Sequence, residues 1–106
     1  MRFAFVPAVL GVAAIALLAS APARAADETA LAKAKNCFAC HTPDKKLVGP
    51  AYKDVAKKYK GQNVADKLAE KVRKGGVGVW GQIPMPPNTL VNEAESKRLV
   101  NWVLSM

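Results

Sequence analysis

Cys37-Phe38-Ala39-Cys40-His41 is the stretch that decides how this chain is read. It fits C-x-x-C-H, the attachment pattern for a c-type haem. Two thiols three residues apart can add across the two vinyl groups of one haem as thioethers. The histidine that follows is then placed under the ring, where its imidazole can bind iron as the proximal ligand. Five residues can match by chance, so the surrounding chain has to support the reading. The competing use of the two cysteines is a redox dithiol, but such sites sit in a βαβ context. No alternating strand pattern is visible here.

The N-terminus supports attachment after export. Met1-Arg2 gives a small positive start, an apolar run extends from Phe3 to about Ala19, and Ala21-Pro22-Ala23-Arg24-Ala25 follows. Ala23 and Ala25 fit the small-x-small signature of a signal-peptidase site, so residues 1–25 read as a signal peptide cleaved before Ala26. An uncleaved anchor needs about 20 uninterrupted apolar residues, and Pro7 and Gly11 interrupt this run. There is no twin arginine, which suits export of an unfolded chain and haem attachment after export.

Residues 26–106 form one small domain. A chain this short buries a marginal core and commonly needs a staple or a cofactor. Both cysteines lie in one motif, so no disulfide can tie distant segments together. A covalently held haem would be the staple, and without it the chain is expected to be unfolded or molten. Of 16 lysines and arginines, Arg2 and Arg24 leave with the leader while all 8 acids remain, which gives a net charge of +6. The lysines are scattered and the aromatics few, which excludes a nucleic-acid stripe. The charge instead suits an acidic partner surface or an anionic membrane face.

The hydrophobic pattern is helical. Asp27 or Thr29 can cap a first helix running to about Asn36. Ala51, Val55 and Tyr59 recur at i, i+4, i+8 after Gly49-Pro50. Asn63 can cap a third helix with Val64, Leu68 and Val72 on its apolar face, ending at Gly75-Gly76. Asn92 and Glu95 resemble a capping box before a helix that carries Leu99, Trp102, Val103 and Met106 on one face. Between the last two helices, residues 75–91 have no helical period. A loop this long in so small a domain is usually functional.

That loop contains Trp80-Gly81-Gln82-Ile83-Pro84-Met85-Pro86-Pro87-Asn88. Prolines fix φ and remove donors, so Met85 stands on a stiff, extended segment. A lone methionine is most often a core gap-filler. After a C-x-x-C-H, and between prolines, it reads as the second iron ligand, and a soft sulfur there favours the ferrous state. His41 is the only histidine, so one chain cannot supply two imidazoles. Met106, at the C-terminus, is the only other methionine after residue 25.

From Asn36 onward the chain resembles the small bacterial class I cytochromes c of the cytochrome c-551 type. The resemblance rests on the haem motif, on Leu47-Val48-Gly49-Pro50-Ala51-Tyr52-Lys53-Asp54-Val55, on residues 78–88 and on the closing Trp102-Val103-Leu104. It implies an all-α domain of four to five short helices, the first and last crossed, around one covalently bound haem c with one edge exposed. Cys37 and Cys40 would hold the thioethers, and His41 and Met85 would be the axial iron ligands. The Pro50 carbonyl would accept a hydrogen bond from His41 and orient the imidazole. Trp80 would donate its indole N–H to a haem propionate, and Asn88 would hydrogen-bond near Met85 and hold the loop. Without the family, Pro50 could be only a first helical residue, Trp80 core packing and Asn88 a turn residue. Lys71, Arg73 and Lys74 are alternative propionate partners.

The implied function is that of a periplasmic electron carrier, not an enzyme. It would cycle iron between the ferric and ferrous states through an edge rimmed by Leu47, Val48, Ile83 and Pro84, with Lys33, Lys35, Lys45 and Lys46 around it. Its partners would be transient: a nitrite reductase, a terminal oxidase, a cytochrome c peroxidase or a bc-type complex. A monomer without stable membrane insertion is expected. The alternative is an open-site haem protein acting as gas sensor or peroxidase, against which stands the lack of any acid–base group in the Met85 loop. Protein recovered from the periplasm is expected to begin Ala26-Asp27-Glu28 on N-terminal sequencing. An intact Met1 would contradict cleavage.

Overall fold

A computed structural model describes residues 3–5, 7–9, 11–12 and 25–106. Residues 13–24, which carry the end of the apolar run and most of the cleavage signature, lie outside the described residues. The domain is mainly helical: α1 (Thr29–Ala34), a 3-10 turn (Cys37–Ala39), α2 (Tyr52–Lys58), α3 (Ala65–Lys74), a hairpin of β1 (Gly76–Gly78) and β2 (Gly81–Met85), and α4 (Glu93–Leu104).

Helix α1 stops earlier than its apolar pattern suggests. Asn36 takes the left-handed conformation, φ 64°, which asparagine tolerates better than most residues. That reversal ends the helix and feeds the chain into the 3-10 turn carrying Cys37. The start of α1 is tied locally: Asp27 Oδ1 accepts from the Thr29 backbone N–H at 2.9 Å and from its hydroxyl at 2.6 Å. Asn63 does not cap α3. The N-cap position falls on Val64, which offers no side-chain acceptor.

Helix α4 is the best-terminated element. Asn92 Oδ1 accepts from the Glu95 N–H at 2.8 Å, and Glu95 Oε1 accepts from the Asn92 N–H at 3.1 Å, completing the capping box. The Asn92 N–H, and then Lys35, hold the Glu95 carboxyl below the ordinary carboxylate range. Arg98 on α4 reaches Glu28, buried just before α1, through two hydrogen bonds of 3.0 and 2.8 Å. A buried carboxylate needs such a partner, and the pair links the two ends of the domain.

The apolar face of α4 meets the rest of the domain at a small core of Ala32, Tyr52, Val91, Leu99 and Trp102. Tyr52 and Trp102 pack edge to face, with ring centroids 5.6 Å apart, a favoured aromatic geometry. Met106 lies past the helix and is exposed.

The hairpin departs from the all-loop reading of residues 75–91. β1 and β2 pair antiparallel, with Gly76 opposite Met85 and Gly78 opposite Gly81. Two glycines at positive φ, Gly78 at 102° and Gly81 at 111°, make the turn around Val79-Trp80. Glycine-rich, proline-containing strands this short leave no alternating pattern to read.

Asn92→Ala is expected to lower stability by about 1 kcal/mol, the typical cost of losing an N-cap side chain. Urea unfolding of the holoprotein measures it, and Asn92→Ser should recover most of the loss.

Candidate functional site

The helices and the hairpin enclose a cleft of about 620 Å³, within the range of ligand and cofactor sites. Cys37, Cys40 and His41 line it on one side and Met85 on the hairpin side. Val55 of α2 and Tyr59 at its C-terminal end, Leu68 and Val72 of α3 and Val103 of α4 complete its walls. These are the apolar positions that helical periodicity selects, and only some meet another helix. The others face the cleft.

His41 is held from three directions. Its Nδ1 lies 2.8 Å from the carbonyl oxygen of Pro50. A carbonyl only accepts, so the proton sits on Nδ1 and the lone pair of Nε2 is left for a metal. Tyr52 stacks on the imidazole, centroids 5.0 Å apart and planes 23° from parallel. Gly49 closes the third side: a Cβ there would meet the ring, 2.8 Å from Nδ1 and 3.0 Å from Nε2. The loop that supplies Gly49 and Pro50 is itself pinned. The Gly49 N–H donates to Cys40 O at 2.7 Å and the Tyr52 N–H to Thr42 O at 3.0 Å.

Cys37 and Cys40 are both partly buried and not joined to each other. Burial pushes the Cys37 thiol up from its ordinary pKa, and a hydrogen bond with Tyr52 opposes the shift. Burial also pushes the Tyr52 hydroxyl up, and the neighbouring Cys37 adds to it. Both groups stay protonated at neutral pH. Two thiols, an imidazole with a free nitrogen and a thioether on one apolar cleft form a donor set that suits a c-type haem.

Met85 ends β2, where Gly75 (φ 76°) brings its backbone close. A Cβ on Gly75 would stand 2.5 Å from Met85 O, so that position requires glycine. Asn88 ties the segment after Met85 to two helices. Its side-chain N–H donates to Lys35 O at 2.9 Å, its backbone N–H donates to Val72 O at 2.9 Å, and its Oδ1 accepts from Leu90 N–H at 3.0 Å. Trp80 stands at the hairpin turn on the cleft wall, not in the core, and is 41% exposed. Of the three cations before the hairpin, Lys71 lines the cleft, Arg73 donates to Ser96 Oγ at 2.8 Å, and Lys74 pairs with Glu70.

Periodicity alone underrates Tyr52, which touches both His41 and Cys37. The available signal is its place with Val55, Ala56 and Tyr59 on one face of α2, at i, i+3, i+4 and i+7. Leu47, Val48 and Ile83 are exposed, as a rim requires.

The family model for cytochrome c matches residues 26–106. The chain is 50% identical over 99 residues to cytochrome c-551 of Pseudomonas aeruginosa, covering 92% of this chain and 94% of that protein. It is 50% identical over 95 residues to cytochrome c-552 of Nitrosomonas europaea, covering 89% and 90%. The crystal structure of wild-type Nitrosomonas europaea cytochrome c552 is similar with a TM-score of 0.70 at 52% identity, covering 72% of this chain and 95% of that one.

Gly49→Ala is expected to push the imidazole off Pro50 and change the direction in which its Nε2 faces the cleft. The holoprotein should show a lower midpoint in thermal unfolding and a changed Soret spectrum. An unchanged spectrum and midpoint would show that the ring has room.

Proposed function

The chain belongs to the cytochrome c family, with one covalently attached haem c as its cofactor, and on that premise we propose that it is a His/Met-ligated electron carrier of the periplasm. The observation that carries this reading is that His41 and Met85 line one apolar cleft, with the imidazole proton committed to Pro50. Bound between an imidazole and a thioether, haem iron supplies a one-electron ferric–ferrous couple.

The residues divide the work. Cys37 and Cys40 would carry the thioethers. His41 would donate through Nε2, with Pro50 O strengthening it as a donor by accepting from Nδ1. Met85 would supply a second protein ligand to the iron and leave no place for a substrate, which argues against enzymatic activity. Tyr52 and Gly49 keep the imidazole from turning. Asn88 and Gly75 keep Met85 at a set distance from α3. Ligands held this firmly change little between oxidation states, and small rearrangement is what fast electron exchange needs. Lys71, the only one of the three that lines the cleft, would be the propionate partner in preference to Arg73 and Lys74, which are engaged elsewhere. Trp80, on the cleft wall, would offer its N–H to the same group. The exposed rim of Leu47, Val48, Ile83 and Pro84 suits brief contact with a redox partner such as a nitrite reductase. Among the described residues no helix is long and apolar enough to cross a membrane.

Met85→Ala tests the reading. The wild-type ferric protein should show the weak far-red iron–thioether band and resist carbon monoxide when reduced at neutral pH. The variant should lose the band, bind carbon monoxide and fall in potential. A band that survives Met85→Ala would remove Met85 from the iron and open the way to a sensor or peroxidase.

A further inference from the structure

All 8 acidic residues of the chain fall within 27–54, 66–70 and 93–95. Residues 55–65 and 71–92 contain none, yet they carry Lys57, Lys58, Lys60, Lys71, Arg73 and Lys74. The fold brings these two acid-free segments together. Lys58 Nζ lies 5.8 Å from the ring centroid of Tyr59 and 5.6 Å from that of Trp80, so one ammonium bridges the end of α2 to the tip of the hairpin. Tyr59 and Trp80 both line the cleft, so this basic end adjoins the cleft mouth.

Elsewhere more of the charges are matched, although among the described residues Lys33, Lys45, Lys46 and Lys67 also form no ion pair, singly or in twos. Arg98 pairs with Glu28, Lys97 with Asp66, Lys35 with Glu95 and Lys53 with Asp44. Among the described residues, Lys57, Lys58 and Lys60 form no ion pair, and Asp54, one turn earlier on α2, pairs with none of them. Lysines in a last helical turn are often explained by the helix dipole. That accounts for Lys57, but not for Lys60 beyond the helix end or for Lys58 over Trp80.

We propose that the end of α2 and the hairpin tip (Lys57, Lys58 and Lys60, backed by Tyr59 and Trp80) form the docking face for a carboxylate-rich surface of a redox partner, set to one side of the cleft mouth. The proposal rests on the electron-carrier reading and adds the partner's chemistry and its side of approach. A one-sided field orients an incoming acidic protein as well as attracting it, because the α1 and α4 side offers mostly neutralised pairs. The Tyr59 and Trp80 faces near the Lys58 ammonium give the complex an apolar floor once water leaves.

The test uses two variants of the holoprotein with equal loss of charge, K57Q/K60Q on the proposed face and K33Q/K97Q away from it. Both leave Lys58 on Trp80. Hexacyanochromate(III), a paramagnetic anion that does not exchange electrons here, is titrated against labelled protein and amide line broadening is followed. Broadening should concentrate at residues 57–61 and the Trp80 indole N–H, vanish in K57Q/K60Q and persist in K33Q/K97Q. Even broadening over all lysines, or broadening centred on Lys45 and Lys46, would overturn the proposal. Oxidation of the ferrous protein by hexacyanoferrate(III) at low salt should be slower in K57Q/K60Q than in K33Q/K97Q by about 3- to 10-fold, a fraction of the range that electrostatic steering spans. Equal slowing would also overturn it. If the anion gathers at α2 while the wild type exchanges no electrons, the anionic face stands and the electron-carrier reading fails. Binding to phosphatidylglycerol vesicles that K57Q/K60Q abolishes, with equal hexacyanoferrate(III) rates in both variants, would reassign the face to lipid and overturn the protein-partner claim.

Discussion

Everything in this domain depends on a cleft where a larger protein would have a core. Only a few large apolar side chains are buried, chiefly Tyr52, Val91, Leu99, Val100 and Trp102. Val55, Leu68, Val72 and Val103 stop part-way, on the walls of a space of about 620 Å³. Apolar surface facing such a space contributes little until something apolar fills it. The helices are also short, α1 with 6 residues and α2 with 7, and pieces of this length are not stable alone. A covalently attached haem supplies the missing interior, and Cys37 and Cys40 would be its points of attachment.

The same constraint explains where the polar bonds lie. The hydrogen bonds around His41 run within one short stretch, residues 37–52, so the imidazole is aimed by local chain geometry. Met85 is aimed by long-range contacts, through Asn88 to Lys35 and Val72. One side of the site is therefore set as soon as the loop closes, while the other needs α1 and α3 in place. The hairpin, with Val77, Val79, Trp80 and Ile83 all exposed, is the part whose position depends most on what fills the cleft.

Much of this was legible in the amino-acid order, for identifiable reasons. C-x-x-C-H is legible because covalent haem attachment requires those residues at that spacing, and the stiff segment that brings Met85 to the cleft is legible from its flanking prolines. The capping box of α4 is legible because it is purely local, three residues apart. The cap of α3 was misjudged because Asn63 stands one position too early, and the backbone enters the helix at Val64 without a side-chain partner. The hairpin was missed because its strands are built from glycine and proline, which erase the alternation that marks a strand. Tyr52 was underrated because its role comes from three-dimensional neighbours, His41, Cys37 and Trp102, that periodicity along one helix does not reveal. The basic end formed by α2 and the hairpin likewise required the fold, since its two segments lie far apart in the chain.

The most direct test of the account is to remove the filler. A Cys37→Ala/Cys40→Ala chain, purified without attached haem, is compared with the holoprotein by far-ultraviolet circular dichroism and amide hydrogen exchange. The account expects the haem-free chain to lose most helical signal, to exchange the α4 amides rapidly and to melt without a cooperative transition. A haem-free chain that keeps its helicity, protects α4 and melts sharply would contradict it, because the polypeptide core alone would then hold the fold.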